Sequence, residues 1–529
     1  MELNALLDEV RARITDLSES MEFPIMPSAD ADRRRYGRWR KYADFQPTGI
    51  FIEPNGTVEF DLVLPRTSEV EVQVWVGTPG FNVSGSEEED LRIYDVTSTS
   101  GTVTDLQGGL LWLRVVSDEP SARSKVAQFV PTRLDRAKKI PVFVQGKTSP
   151  LLWPLILFFF EDLGERSPVQ FVNDKVVITA WRSTAVEFVT HNPSEVLDEY
   201  ENILRVEDEM AAIGTGSGQI LPSPLRILVS EKEQGIPDAA NYRISLPQYG
   251  RSLLTAAGVR GDWGVWHEFG HMQQQIAWSA KALTENSVNI FSLAAQRALK
   301  QYSRVAPYNL QAHAFLDNPD PNKKFEDLGD FVRLIMWEQL RVAYGDEFFH
   351  RLHHEARTNG ISDTGQGDAQ YRHYFMVTSS LAARHDLTTF FTRWGLHPTE
   401  RTLTAIRDLR LPQPTPDPST LHIKAETQID IAATHSGSFV IIGTARPRSR
   451  LKTTNDPKQG WFDPEGGITY ARRAGEFVVV TNRTVNGKCV VKSYDPDTGE
   501  ALGESNHVSP VLDDDTLQSC HCTELTDDH

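Results

Sequence analysis

The stretch that most limits the fold is Pro412-Gln413-Pro414-Thr415-Pro416-Asp417-Pro418. Alternating prolines cannot continue a helix and favour extended polyproline backbone, so they read as a linker and as the best domain boundary in the chain. The hydrophobic period differs on the two sides of it. From about residue 45 the pattern is β: Val70, Val72, Val74 and Val76 alternate with Glu71, Gln73 and Trp75. Ile50 to Phe60 reads as strand, turn and strand, with Pro54-Asn55-Gly56 as the turn. From about residue 190 apolar residues recur at helical spacing, with Phe331 to Tyr344 the clearest case. After the prolines the β pattern returns, at Ser438 to Gly443 and Glu476 to Thr481.

The fold class expected is α+β. It comprises an N-terminal β-sandwich-like region, a mainly helical domain and a small C-terminal all-β domain. The boundaries read from the sequence are 1–44 for a helix and connector, 45–185 for the β-rich part and 186–411 for the helical part. They continue with 412–419 for the linker, 420–512 for the C-terminal β domain and 513–529 for a polar tail.

A chain of 529 residues is long enough for a large core, and 40% hydrophobic with 24% charged residues is ordinary globular composition. The net charge is 54 − 72 = −18, which argues against non-specific nucleic-acid binding. The longest apolar run, Leu151 to Phe160, is broken by Pro154 and too short to span a membrane. Residues 1–20 carry Leu3, Leu6, Leu7, Val10, Ile14 and Leu17 at helical spacing, which predicts an amphipathic helix and not a signal peptide. The basic run Arg33 to Lys41, interleaved with Tyr36 and Trp39, reads as a solvated connector. Cys489, Cys520 and Cys522 are too few and too clustered to staple the fold, and Cys520-His521-Cys522 with His529 reads as polar tail more readily than as a metal site.

The chemistry lies in Gly261-Asp262-Trp263-Gly264-Val265-Trp266-His267-Glu268-Phe269-Gly270-His271. His267 and His271, four apart on a helix, share a face and can reach one zinc ion. Glu268 beside the first ligand can act as general base toward an attacking water. Gly270 costs helix stability and is easier to explain by close packing. A catalytic zinc site needs a third protein ligand. Glu285, at the start of a second helix, can return to the metal or can merely complement a helix N-terminus; His313 and Asp327 are weaker candidates. Tyr371, His373 and Tyr374 form a polar-aromatic cluster able to steady an oxyanion, or else a packed helix face. Trp263 and Trp266 can stack on sugars or pack behind the helix.

The stretch from Trp263 to Gln274, followed by Glu285 with Asn289 and Ser292-Leu293, resembles the enhancin-like metallopeptidases, the mucin-degrading gluzincins. Thr48 to Ile52 with Pro54 and Gly56, Gly108 to Leu113, Leu340 to Arg357, and Asp386 to Phe391 with Trp394-Gly395-Leu396 are similar to further segments of that family, in family order. The likeness covers about residues 45–412. Gly235-Ile236-Pro237 stands where the family often has Gly-Tyr-Pro, which alters the expected cleft wall.

The resemblance implies one zinc ion per chain on His267, His271 and Glu285, with Glu268 as catalytic acid/base. It makes the helical part a gluzincin catalytic domain, and Asn289 joins Trp263, Tyr371, His373 and Tyr374, read from the residues above, as candidate substrate contacts. It implies cleavage of peptide bonds in O-glycosylated, mucin-like proteins, acting outside the cell. A β module after a proline linker is itself a common design for attachment, so the C-terminal β domain is expected to bind glycan. The competing readings are a zinc protease of unglycosylated proteins and a glycan-binding adhesin on an inactive protease scaffold.

Overall fold

The computed structural model describes residues 20–511, apart from 66–69, 82–90, 161–163, 215–219, 248–249, 300–302, 361–366, 424–426, 436, 447, 472–475 and 497. The expected N-terminal helix, the polar tail and Cys520, His521, Cys522 and His529 lie outside the described residues. The chain combines several sheets with many helices and divides into two compact units: Met1–Ser292 with Phe349–Ala382, and Leu293–Phe348 with Ala383–His529.

The first unit contains two sheets. Seven strands, β1 (Met21–Pro24), β2 (Phe45–Val63), β3 (Glu71–Gly77), β4 (Arg92–Asp95), β5 (Ser100–Asp105), β6 (Gly109–Val116) and β7 (Val126–Lys139), pair antiparallel in the order β1-β7-β2-β6-β3-β4, with β5 also on β2. Alternate residues such as Ile50, Ile52, Val58, Phe60, Val74 and Leu113 enter one core. Pro54-Asn55-Gly56 does not turn the chain. It lies inside β2, where the register to β7 slips between Ile52 and Thr57. Asn55 takes φ 62°, so the signature of a tight turn serves here as a bulge that bends one long strand.

The second sheet holds β8 (Val142–Val144), β9 (Pro168–Val172), β10 (Val176–Trp181), β11 (Ile227–Lys232), β12 (Asp238–Ala240) and β13 (Arg243–Pro247) in the order β12-β13-β11-β10-β9-β8. It is mixed: β10, β11 and β13 run parallel, and β12 is an antiparallel edge. It crosses residue 185, so the region expected to be mainly helical contributes three strands. Parallel strands covered on both faces lose the two-residue period, and every residue of β10 and β11 is buried, including Ser230, Glu231 and Lys232 at the end of β11. The helix Pro193–Met210, capped by Asn192, makes the crossover from β10 to β11.

In the second unit, the helix Asp330–Tyr344 holds the proline-rich stretch. Gln339 Nε2 donates to the carbonyls of Ser419 (3.2 Å) and Leu421 (2.9 Å), and Arg393 Nη1 donates to Ser419 Oγ (2.7 Å). Two small antiparallel sheets follow, one built on Gln428–His435, Ser438–Thr444, Gly466–Gly467 and Glu476–Thr481. The other contains Arg450–Thr453, Val491–Tyr494 and Ala501–Glu504, and both close on a core that includes Ile441, Leu451, Phe477, Val479 and Val491.

Candidate metal centre

The helix Trp263–Gln273 begins on Asp262, whose Oδ1 accepts from Gly264 N at 2.8 Å. Val265, Trp266, Phe269 and Met272 form its buried stripe, and Phe269 meets Tyr200 of the crossover helix edge to face. This burial turns His267 and His271 to one side, their rings 4.7 Å apart and perpendicular. The chain then returns through the single turn Thr284–Ser287, which carries Glu285. Gly270 permits that return: a Cβ there would lie 2.7 Å from the Val288 carbonyl oxygen.

Glu285 Oε2 lies 3.3 Å from His267 Nε2 and 3.5 Å from His271 Nε2. A tetrahedral centre with bonds of about 2.0–2.2 Å sets its ligands about 3.3–3.6 Å apart, so the spacing and the N₂O donor set fit a metal ion. Among the described residues these three form the group able to hold one. The far side of each imidazole is bound. His267 Nδ1 meets Asn289 Oδ1 at 2.9 Å, and His271 Nδ1 meets Gln274 Oε1 at 2.8 Å. The amide nitrogens are committed elsewhere: Asn289 Nδ2 to the Glu285 carbonyl (2.8 Å), Gln274 Nε2 to the Thr284 carbonyl (2.5 Å) and Ser287 Oγ (3.0 Å). The amide oxygens therefore face the rings. With the proton held at both Nδ1 atoms by these bonds, each Nε2 would be free to offer its lone pair to a metal ion between the rings and Glu285.

With no ion present, the hydrogen bonds from His267 and then His271 hold the Glu285 carboxyl far below the usual carboxylate range. Burial alone would lower His267, but its bonds to Glu285 and Asn289 and the Glu268 charge raise it. Glu268 is only 5% exposed, and burial raises its carboxyl against the opposing pull of His271 and His267.

A family profile described as "Peptidase M60, enhancin and enhancin-like" matches residues 136–395, a span that contains the whole of this centre. Over that span the chain belongs to the enhancin-like metallopeptidase family. Among curated proteins it is similar to TRPM8 channel-associated factor 3 of Mus musculus, 23% identical over 373 residues; the match spans 66% of this chain and 38% of that relative. Among solved structures it is similar to the ZmpB metallopeptidase from Clostridium perfringens, with TM-score 0.63, 14% identity, and coverage of 93% of this chain and 100% of that one. It is also similar to the M60 catalytic domain of Clostridium perfringens ZmpC in complex with the sialyl T antigen, with TM-score 0.59, 15% identity, and coverage of 93% and 100%.

The remaining candidates of this enhancin-like chain fall in different places. Asn289 is buried behind His267 and binds the ring on the side away from Glu285, so it is not a substrate contact in this arrangement. Tyr374 donates its hydroxyl to the Glu355 carbonyl at 3.0 Å, and burial pushes that phenol well up; Tyr371 is buried as well. Both share the helix Asp368–Ala383 with His373, which is half-buried. Trp266 is a core residue whose Nε1 donates to the Val259 carbonyl at 2.9 Å. Trp263 packs beside it, half-buried, with ring centroids 6.1 Å apart. His313 stacks on His422 at 3.8 Å and meets the Leu421 carbonyl, and Asp327 ends a short 3₁₀ turn.

Two features were not readable in advance. Gln274, the brace on His271, is one of three consecutive glutamines with nothing to single it out. The basic run is no solvated connector. Arg38 is buried, paired with Asp32 and stacked on Tyr42 at 3.5 Å, and Trp39 N donates to the Gln274 carbonyl at 2.8 Å. Arg40, next in line, is drawn into the electrostatics of the centre: burial lowers its guanidinium, and the charge of Glu268 opposes that most strongly. On the other flank, the edge strand β12 packs against the Trp263–Gln273 helix, and Pro237 Cγ lies 3.3 Å from where a Cβ on Gly264 would sit. Gly264 thus allows the Gly235-Ile236-Pro237 loop to close on the helix start, leaving Ile236 exposed.

Proposed function

We propose that the chain is a zinc-dependent endopeptidase that hydrolyses peptide bonds in O-glycosylated, mucin-like proteins. The observation that carries this reading is the spacing of Glu285 Oε2 from two braced imidazoles, with Glu268 buried on the same helix. His267, His271 and Glu285 would hold the ion. When bound, it would polarise the scissile carbonyl and make water acidic enough to attack at neutral pH.

The chain's own residues do the rest. Glu268, adjacent to a ligand, takes the proton of the attacking water and delivers it to the leaving amine. Burial raises the Glu268 carboxyl, the direction that helps it hold the proton between the two transfers. Asn289 and Gln274 fix the tautomer and tilt of the two rings. The edge of β12 offers unpaired backbone to an extended substrate segment, a mode that grips main chain and leaves side chains to choose the sequence. The glycoprotein substrate class is supported by the ZmpC domain, whose structure holds the sialyl T antigen.

The test is digestion of a defined O-glycopeptide, with fragments read by mass spectrometry. Cleavage is expected to stop with a chelator and return with zinc. Glu268→Gln is expected to lose about 10²–10⁴-fold in rate while retaining metal. Cleavage that survives the chelator, or a Glu268→Gln variant at the original rate, would overturn the mechanism. Equal digestion of a mucin before and after removal of its O-glycans would leave the protease and remove the glycoprotein preference.

A further inference from the structure

The three-stranded sheet of the C-terminal module has a face that stability alone does not explain. On Arg450–Thr453 and Val491–Tyr494, Leu451, Thr453, Val491 and Ser493 are buried, so Arg450, Lys452, Lys492 and Tyr494 share the outer face. The register places Lys452 directly opposite Lys492, and Arg450 opposite Tyr494. Like charges directly opposite one another on neighbouring strands are destabilising. Protection of a sheet edge accounts for lysines on outer strands, but Lys492 lies on the central strand of the three.

Two neighbouring acids are already paired, Asp463 with Arg450 (2.7 Å) and Glu465 with Arg483 (2.8 Å), and Glu504, across the ladder from Lys492, turns its carboxylate to His507 (3.0 Å). Among the described residues neither lysine has a carboxylate partner. Their contacts are with rings: Lys492 Nζ lies 5.1 Å from the Trp461 centroid and 5.9 Å from that of Tyr494, and Lys452 Nζ lies 5.2 Å from that of Tyr494. Tyr470 and Phe462 bridge to the outer side of Arg450–Thr453 and are 48% and 44% exposed. In a chain of net charge −18, two ammonium groups held side by side against the rings of Trp461 and Tyr494 stand out.

We propose that this face binds a sialylated glycan. The sugar rings lie against Trp461 and Tyr494, whose flat apolar surfaces and polar edges suit them, and the sialic acid carboxylate sits between Lys452 and Lys492. That carboxylate supplies the charge the cross-strand pair lacks. The inference rests on the reading of the chain as acting on O-glycoproteins, and it gives the molecule a second point of hold on the same class of substrate, made of residues other than those of the metal centre. Two linked contacts raise retention on a multivalent mucin without any change at the cleavage site.

The test uses the full chain carrying Glu268→Gln, so that binding is read without cleavage. Retention on immobilised sialylated mucin is compared for this protein, for its Lys452→Gln/Lys492→Gln derivative and for its Lys492→Arg derivative. The expected result is at least a tenfold loss of affinity in the double derivative, a similar loss when the mucin is treated with sialidase, and retention by the Lys492→Arg protein. Circular dichroism melting of the double derivative is expected at or above the parent temperature, because a repulsive pair has been removed. Equal binding by parent and double derivative, or binding indifferent to sialidase, overturns the inference. So does preference for a sulfated, unsialylated glycan. Loss of chelator-sensitive cleavage with intact sialic-acid binding would sink the protease reading alone.

Discussion

The two sheets of the first unit are built from the same residue types and do different work. In the antiparallel sheet the long strand β2 buries alternate residues and leaves the others partly or fully wet; Val63 at its end is 58% exposed. The mixed sheet β8–β13 is buried throughout β9, β10, β11 and β13, with the crossover helix packed on it. Its edge strand β12 meets the helix that carries His267, Glu268 and His271. A half-wet sheet tolerates change on one side. A covered sheet does not, and the candidate metal centre is attached to the covered one.

The sharpest way to break this contrast is a matched pair of truncations. Ile178→Ala, in the middle of the mixed sheet, is expected to cost about 2–5 kcal/mol. Val63→Ala is expected to stay within about 0.5 kcal/mol, as exposed positions usually do. Urea unfolding monitored by tryptophan fluorescence checks both, and equal losses would erase the distinction.

A smaller effect is expected where the helix on the mixed sheet is braced. Gln274→Ala and Asn289→Ala should each weaken metal binding about 10–100-fold, since each frees one imidazole to turn. Thr57→Ala, which removes a 2.8 Å hydroxyl contact to Thr104 on the antiparallel sheet, should leave metal affinity unchanged. Competition with a coloured chelator measures all three.

The smallest effect is one of pH. Glu207, on the crossover helix, is fully buried, and neither carboxylate oxygen has a hydrogen-bond partner among the described residues. Burial first, and the charge of Asp208 second, raise its carboxyl well above the ordinary 4.5. The folded chain therefore keeps a proton that the unfolded chain has released, and stability falls as pH rises above about 4.5. Glu207→Gln should melt with the parent near pH 4 and above it at pH 8. Parallel melting curves across that range would place the proton elsewhere.

The same contrast explains what the sequence could disclose. Val70 to Val76 alternates and was readable as β3, and the Phe331–Tyr344 periodicity matches the helix Asp330–Tyr344. Strand β11 was hidden because Ile227, Leu228 and Val229 form a short continuous apolar run, which a buried helix can share. His267, Glu268 and His271 were conspicuous because four-residue spacing is a geometric requirement of shared coordination. Glu285 was only one option on spacing, since a short turn can place a carboxylate anywhere. The roles of Asn289, Gln274 and Arg40 depend on contacts across the fold, and no local pattern encodes them. Tyr371 and Tyr374 were indistinguishable from core aromatics by spacing, and both are buried.

Gln273, Gln274 and Gln275 are neighbours in sequence, yet their side-chain amides reach Asp208 (2.7 Å), His271 (2.8 Å) and the Tyr36 carbonyl (3.1 Å). Three identical residues thus hold three unlike assignments, sorted only by position. Inserting or deleting one residue there would hand every amide its neighbour's task and swing His271 out of alignment, whereas conversion of any one to glutamate would set a carboxylate against a mate suited to an amide. The segment is locked in length.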